Sequence, residues 1–300
     1  MKKLIFCLIL LIVSIAAVSA SDNFTDSDIL EDGNKSSTDL KILIDEAPDA
    51  SEINLEDDYT DYEGCVEITK ALTINGNGHT IDAKNGGKIF NIASDNVVLK
   101  NITFINGFLR DGNGAVIYIN ANNTVIEDCY FKDNGIFSST GSPYGGAIYC
   151  NGNLTIINSV FKNNNIMGID IYSNGGAVYC DGDLTVTNST FISNSVEGNG
   201  GAIYSTGTVN ISNSTFTSNC ISGQYIGGGA VSASAVNVNN SVFTKNNAKA
   251  SVRWGDNNAS ARVEQFTLKT QISITVISQL IPSQSLIISS VMVVESIHME

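Results

Sequence analysis

The chain is poor in charge, poorest in positive charge, and nearly empty of the side chains from which most active sites are made. Only 15% of its 300 residues are charged, against about 25% in an ordinary soluble domain. Lys and Arg total 16 against 30 Asp and Glu, a formal net charge of −14. Nucleic acids and anionic membrane surfaces both select basic patches, so neither is expected as a partner. The sequence holds 2 His, 1 Trp and 3 Pro. Between residues 64 and 250 the only Arg is Arg110 and the only His is His79. A hydrophobic content of 43% excludes a disordered chain. Asn, Ser, Thr and 27 Gly supply the polarity, which is a composition of strands and turns.

A long apolar run is missing too. Lys2 and Lys3 precede an apolar stretch, Leu4 to Val18, that ends in Val18-Ser19-Ala20. That is a basic start, a core too short for the roughly 20 residues of a membrane span, and a small-residue cleavage site. Residues 1–20 are therefore expected to be a signal peptide, leaving a mature chain that is extracellular or on the cell surface and has no stable membrane span. Cys7 falls inside that segment. The other five cysteines, Cys65, Cys129, Cys150, Cys180 and Cys220, are odd in number and widely spaced, which is neither a disulfide framework nor a zinc pattern. Residues 21–63 read as an acidic leader and N-terminal cap, since 15 of the 30 acidic residues lie between Asp22 and Glu63. Asp26, Asp28, Glu31 and Asp32 have no calcium-loop Gly and no closing Glu, so no metal is expected there. Thr38 to Ala47 has its apolar residues on one side, a Thr-Asp start and Pro48 behind it, and is expected to be a short helix.

From there the chain repeats itself. GGAIYCNGNLTIINSVFKNNN begins at Gly145, GGAVYCDGDLTVTNSTFISNS at Gly175, GGAIYSTGTVNISNSTFTSNC at Gly200, and GGAVSASAVNVNNSVFTKNNA at Gly228. The last aromatic of each unit is Phe104, Phe131, Phe161, Phe191, Phe216 or Phe243, at successive intervals of 27, 30, 30, 25 and 27 residues. Five residues before each Phe sits Leu99, Ile126, Ile156, Val186, Ile211 or Val238. Seven before sits Val97, Thr124, Leu154, Leu184, Val209 or Val236. This period of two predicts a strand with one buried face, and a second short strand follows each Gly-Gly pair. Units of 25–30 residues cannot bury a face alone but can when stacked. The expected fold of residues 64–250 is thus all-β: a parallel solenoid of coils of that length, with the helix as N-terminal cap. Propeller blades would need about 40–45 residues per unit.

The polar constants fit stacking. Three residues before each Phe is Asn101, Asp128, Asn158, Asn188, Asn213 or Asn240, and three after is Gly107, Asn134, Asn164, Asn194, Asn219 or Asn246. Asn tolerates left-handed turns, and its amide can bond the same amide one layer on. Cys150 and Cys180 hold the same place in consecutive units, with Ser205 next. They read as small core or turn fillers, although layer spacing also permits a poorly shaped disulfide. Tyr149, Tyr179 and Tyr204 recur with the opposite parity, as a strip that either binds carbohydrate or covers the strand face.

The GGAI and FxxN pair, as in Gly145-Gly146-Ala147-Ile148 and Phe161-Lys162-Asn163-Asn164, resembles the polymorphic outer membrane protein repeat. The stretch Val66 to Gly107 resembles the opening coils of adhesin-like surface proteins of methanogenic archaea. Both resemblances imply a right-handed parallel β-helix of the pectin-lyase-like type over roughly residues 40–250. They also imply a secreted or cell-surface adhesin whose partners are glycans or proteins of host or neighbouring cells. The rival is a carbohydrate-active β-helix enzyme, a polysaccharide lyase or hydrolase. Sugar cleavage by acid–base chemistry needs two facing carboxylates. Asp82, Asp95, Glu127, Asp128, Asp133, Asp181 and Asp183 are scattered singly or in turns, and His79 reads as a solvent-facing turn residue. No enzyme is expected, with no catalytic, cofactor-binding or metal residues and no cofactor. A purely structural surface-layer filler is the third reading.

Ten Asn-x-Ser/Thr sequons, at Asn23, Asn34, Asn101, Asn122, Asn153, Asn188, Asn210, Asn213, Asn239 and Asn258, either carry glycans or arise from the repeat itself. The final segment, 251–300, breaks the pattern, and residues 262–300 contain no Gly. Joining each codon's third base to the next codon's first two, with permitted synonymous bases, restores the vocabulary. Arg262 to Leu268 then yields Gly-Gly-Ala-Ile-Tyr-Ser. Ile274 to Ser278 yields Asn-Ser-Asp-Phe, and Val291 to Glu300 yields Tyr-Gly-Gly-Gly-Ile-Tyr-Ser-Tyr-Gly. The chain from about residue 262 is expected to be translated out of frame.

Overall fold

Alternation of apolar and polar residues, cut every few positions by Asn or Gly, allows only short strands that bury one face each. The structure, a computed structural model, describes residues 35–60, 64–139, 141–168, 172–223 and 228–250, together with the backbone of 272–274. The expected signal peptide, the leader up to residue 34 and most of the tail lie outside the described residues. The strands build a right-handed parallel β-helix of about six coils of about 27 residues, the hand favoured for crossovers between parallel strands.

One coil shows the plan. Ile148–Cys150, Leu154–Ile157, Val160–Lys162 and Asn165–Gly168 follow one another around the axis. Each pairs in parallel with its counterpart one coil on: Val178–Cys180, Leu184–Thr187, Thr190–Ile192 and Ser195–Asn199. Four ladders result, named here for what they carry: tyrosine, aliphatic, phenylalanine and fourth. In the next two coils the tyrosine and aliphatic strands fuse into the single strands Ile203–Ser212 and Val231–Asn239. The fourth ladder goes beyond the strands expected from the repeat. Its inward column is Ile136, Ile166, Val196, Ile221 and Ala248, five residues after each Phe, and it forms a small second core.

The main core is a set of like-on-like columns. Phe104, Phe131, Phe161, Phe191 and Phe216 are fully buried. From Phe104 to Phe243 successive rings stack at 4.8, 4.6, 4.7, 4.8 and 4.7 Å, the strand spacing of a sheet. One column contains a mismatch. Thr124 shares its place with Val97, Leu154, Leu184 and Val209, and its Oγ1 is buried without a hydrogen-bond partner. Thr124→Val is expected to raise stability by about 1 kcal/mol by removing that orphan hydroxyl. A lower denaturation midpoint for the variant would show that the hydroxyl is satisfied.

The two Asn columns have different physical roles. Asn101, Asp128, Asn158, Asn188, Asn213 and Asn240 all have φ between 46° and 54°. They turn the chain through the left-handed conformation that Asn and Asp tolerate best. Two residues after each Phe a second left-handed corner follows, at Asn106, Asp133, Asn163, Ser193, Ser218 and Lys245. The other Asn column faces inward. Asn164 Nδ2 donates to Phe131 O at 3.1 Å and to Asn194 Oδ1 at 3.0 Å, and Asn194 Oδ1 also accepts from Asn164 N at 3.0 Å. Asn134, Asn194 and Asn219 make the same set. Between these columns runs a hydroxyl ladder. Ser159 N donates to Ser189 Oγ, Ser189 N to Ser214 Oγ and Ser214 N to Ser241 Oγ, at 3.1, 3.1 and 3.0 Å. Asn-Ser-x-Phe is therefore a bend, a buried hydroxyl and a core ring in sequence.

The Gly-Gly pairs divide their work as well. The first, at Gly145, Gly175 and Gly200, has φ of 67°, 73° and 68°. The second has no room for a side chain: a Cβ on Gly176 would sit 2.2 Å from Gly201 O.

The cap begins earlier than the repeat grammar indicates. Helix α1 spans Ser37–Glu46, with Ser36 rather than Thr38 as N-cap and Asp39 closing a capping box. Hydrogen bonds from the Ser36 backbone and hydroxyl hold the Asp39 carboxyl below its ordinary range. Leu40 and Ile44 are buried over the first coil. Ser51–Asn54 already pairs with Leu72–Asn75 in the aliphatic ladder, so part of the segment read as cap is a first coil strand. Among the described residues no helix is long and apolar enough to cross a membrane.

Candidate binding surface

The carboxylates that might have served chemistry are occupied in holding coils together. Asp82 Oδ1 accepts from Lys84 N and Asn106 Nδ2, both at 2.8 Å. Asp95 Oδ1 accepts from Asn122 N at 2.7 Å, and Asp133 Oδ1 from Asn163 Nδ2 at 3.0 Å. Asp181 Oδ1 accepts from Thr206 Oγ1 at 2.9 Å and Asp183 Oδ1 from Thr208 N at 2.8 Å. Asp128 is one of the left-handed corners, and Glu127 lies on the aliphatic ladder beside it. His79 is not simply a solvent-facing residue. Its Nδ1 lies 3.1 Å from Asp58 Oδ1, which also accepts from Thr80 N at 2.8 Å, so the pair ties the first coil to the cap. No group of three His, Cys, Asp or Glu converges among the described residues.

Three of the five thiols, Cys129, Cys150 and Cys180, are buried, while Cys65 is exposed and Cys220 half-buried. Cys150 and Cys180 are paired neighbours across two coils, both buried and free, and both donate to Gly152 O, at 3.3 and 3.1 Å. The hydrogen bond in which Cys150 accepts from Cys180, together with burial, raises the Cys180 thiol. Cys129 occupies a place in the hydroxyl ladder, and burial pushes its thiol up to about 12. Ser205 continues the Cys column by donating to Gly182 O at 2.8 Å. Cys150 and Cys180 are the core fillers expected from their matching place in consecutive units.

The tyrosine strip is real and longer than the repeat suggested. Tyr118, Tyr149, Tyr179 and Tyr204 stack on the outer face at 4.9, 5.2 and 5.4 Å, with planes within 14°, 5° and 13° of parallel. Tyr144 stacks on Tyr179 at 4.7 Å, and the Lys88 ammonium lies 4.5 Å from the Tyr118 centroid. Burial, then the charge of Asp181, raises the Tyr179 hydroxyl well above its ordinary value. The ring faces from Tyr118 to Tyr179 are taken by neighbouring rings and Lys88, and only Tyr204, which pairs with Ser232, has a face that no ring covers. The strip covers the strand face.

A different surface varies from coil to coil. From each Gly-Gly to its Phe the distance barely changes: Gly145 to Phe161, Gly175 to Phe191 and Gly200 to Phe216 are all 16 residues. From Phe to the next Gly-Gly it does change: Phe161 to Gly175 is 14 residues and Phe191 to Gly200 is 9. The register locates the difference. Ile166 pairs with Val196, 30 residues on, whereas Ser173 pairs with Gly198, 25 residues on. Five extra residues are therefore accommodated at the corner between the fourth ladder and the glycines. That corner exposes large apolar side chains, Met167 at 54% and Tyr172 at 55%, with Phe137 half-buried in register beside Met167. A rigid stack that places its largest length changes at one edge has the geometry of a scaffold presenting loops. The sequence held the signal, in the uneven Phe intervals, but the edge on which the variation falls becomes visible only in the strand register.

Of the sequons, Asn101, Asn122, Asn153, Asn188, Asn210, Asn213 and Asn239 lie on exposed residues, while Asn23, Asn34 and Asn258 lie outside the described residues. No protein-family model, no curated protein and no solved structure matches the chain.

Proposed function

We propose that the protein is an exported, non-catalytic attachment protein of the adhesin-like kind, whose β-helix holds out the corner between the fourth ladder and the Gly-Gly turns toward a glycan or protein on another cell. One observation carries the reading: the strands repeat almost without change, while the largest changes in coil length and the exposed Met167 and Tyr172 fall at that corner. The structural employment of Asp82, Asp95, Asp133, Asp181 and Asp183 supports binding over sugar cleavage. The apolar run and small-residue site of residues 1–20 support export.

The test is binding of the full chain to cell-surface preparations and glycan arrays, set beside the double variant Met167→Ser with Tyr172→Ser. Exposed apolar anchors often dominate an interface, so binding is expected to weaken at least tenfold with an unchanged unfolding temperature. Release of reducing or unsaturated sugar ends from acidic polysaccharides by the intact chain would overturn the proposal in favour of a lyase or hydrolase.

A further inference from the structure

The two ends of the solenoid differ. At the N-terminal end α1 and Leu55 close the core, with Leu40, Ile44 and Leu55 fully buried or nearly so. At the other end the only element past the last coil among the described residues is Ile272–Ile274, which lies against one strand alone. Phe243 stacks on Phe216 at 4.7 Å but is only half-buried, and Val242 beside it is 40% exposed. Asn246 Nδ2 donates to Phe216 O at 2.9 Å, and its Oδ1 accepts from Asn219. Among the described residues no amide oxygen of a following coil stands beyond it, as one does for every earlier Asn of the column, and no hydroxyl of a next layer meets Ser241 N. The coil pairings are all parallel. Ile272–Ile274 alone runs antiparallel, against Val236–Val238.

We infer that the face formed by Val231–Asn239, Val242–Thr244 and Asn247–Ala250 is an interface for one more coil of the same repeat, and that the displaced reading frame from residue 262 encodes that coil. The register carries the inference. In the last unit Gly228 to Phe243 is 15 residues. In the displaced frame the first Gly falls across codons 262 and 263 and the Phe across 277 and 278, again 15 apart. Asn and Ser precede that Phe by three and two positions, the places of the left-handed corner and the hydroxyl ladder. Three positions after it, across Leu280 and Ile281, the permitted codons include Asn, the residue the amide ladder needs. Phe243 to the new glycines is 19 residues, against 14 from Phe161 to Gly175, and the additional length falls at the corner where length already varies. The partner chemistry is thus a ring over Phe243, an amide over Asn246 and a hydroxyl over Ser241.

The nucleotide sequence gives the first test. A stop codon in the displaced frame between codons 262 and 278, or codons that do not spell Gly-Gly and Asn-Ser-x-Phe, overturns the inference. The second compares hydrogen exchange in the full chain with a version whose frame is restored by inserting one nucleotide before codon 262. Restoration is expected to slow exchange at the amides of Asn246, Asn247 and Ala248 at least tenfold. Replacing the restored Phe by Asp should return it to the starting rate. Unchanged exchange in a restored chain that keeps the β-helix circular dichroism overturns the inference, whatever becomes of the attachment role.

Discussion

Replacing Asn194 by Ala is expected to destabilise the β-helix by about 3–6 kcal/mol, far beyond the effect of the same change at Asn188 only six positions earlier. Asn194 is completely buried, and its amide makes or receives four hydrogen bonds: to Phe161 O at 3.0 Å, to Asn219 Oδ1 at 2.9 Å, and from Asn164 N and Nδ2, both at 3.0 Å. Truncation strands the Asn164 amide hydrogens and the Phe161 carbonyl where water does not reach, at roughly 1–3 kcal/mol for each orphan. Asn188 is exposed and serves through its φ of 51°. Ala there pays only the left-handed penalty of about 1–2 kcal/mol. Urea denaturation of both variants measures the contrast. Stacked arrays can open in parts, so hydrogen exchange at Asn164 and Asn219 should show the Asn194→Ala lesion centred on its own layer. Equal losses at the two positions would mean that the buried amide ladder contributes nothing beyond turn geometry.

Gly176→Ala is expected to cost about 4 kcal/mol or more, or to prevent accumulation of folded protein. The added methyl would lie 2.2 Å from Gly201 O, 2.7 Å from Ser195 O and 2.8 Å from Ser195 C. All three are backbone atoms held by the ladders, so no side chain can rotate away to make room. Relief requires parting two coils, which stretches Gly176 N–H to Gly200 O, now 3.0 Å, and the Phe161–Phe191 stack at 4.7 Å. Thermal unfolding and soluble yield are the measurements. A variant that unfolds within a degree or two of the parent would show that adjacent coils can separate there without cost.

Much of this fold could be read without coordinates because a solenoid writes a tertiary contact as a local rule. Phe131, Phe161 and Phe191 recur at the coil length because each must lie over the last, and the alternation at Leu154 and Ile156 marks the face that turns inward. The Gly-Gly pair and Asn-Ser-x-Phe were visible as constants for the same reason. Like side chains can stack at strand spacing if they are apolar, or if they carry both a donor and an acceptor. That also accounts for the shortage of charge, since repeated charges one layer apart would repel.

The remaining decisions needed three dimensions. Two Asn columns look alike in the sequence, yet only Asn134, Asn164, Asn194 and Asn219 point into the core. Left-handed corners on both sides of the phenylalanine strand rotate the chain between them, and side-chain direction after two such corners is not a local property. His79 meets Asp58 across 21 residues of sequence, a contact set by the cap's position on the first coil. That the tyrosines spend most of their ring faces on one another is a matter of ring planes, which the sequence does not carry. What the amino-acid sequence determined by itself was the coil, its period and its inward columns, because these repeat with chain position. What only the tertiary structure decided was which polar groups are spent on the stack and which edge remains free to vary, because that depends on how one coil is seated on the next.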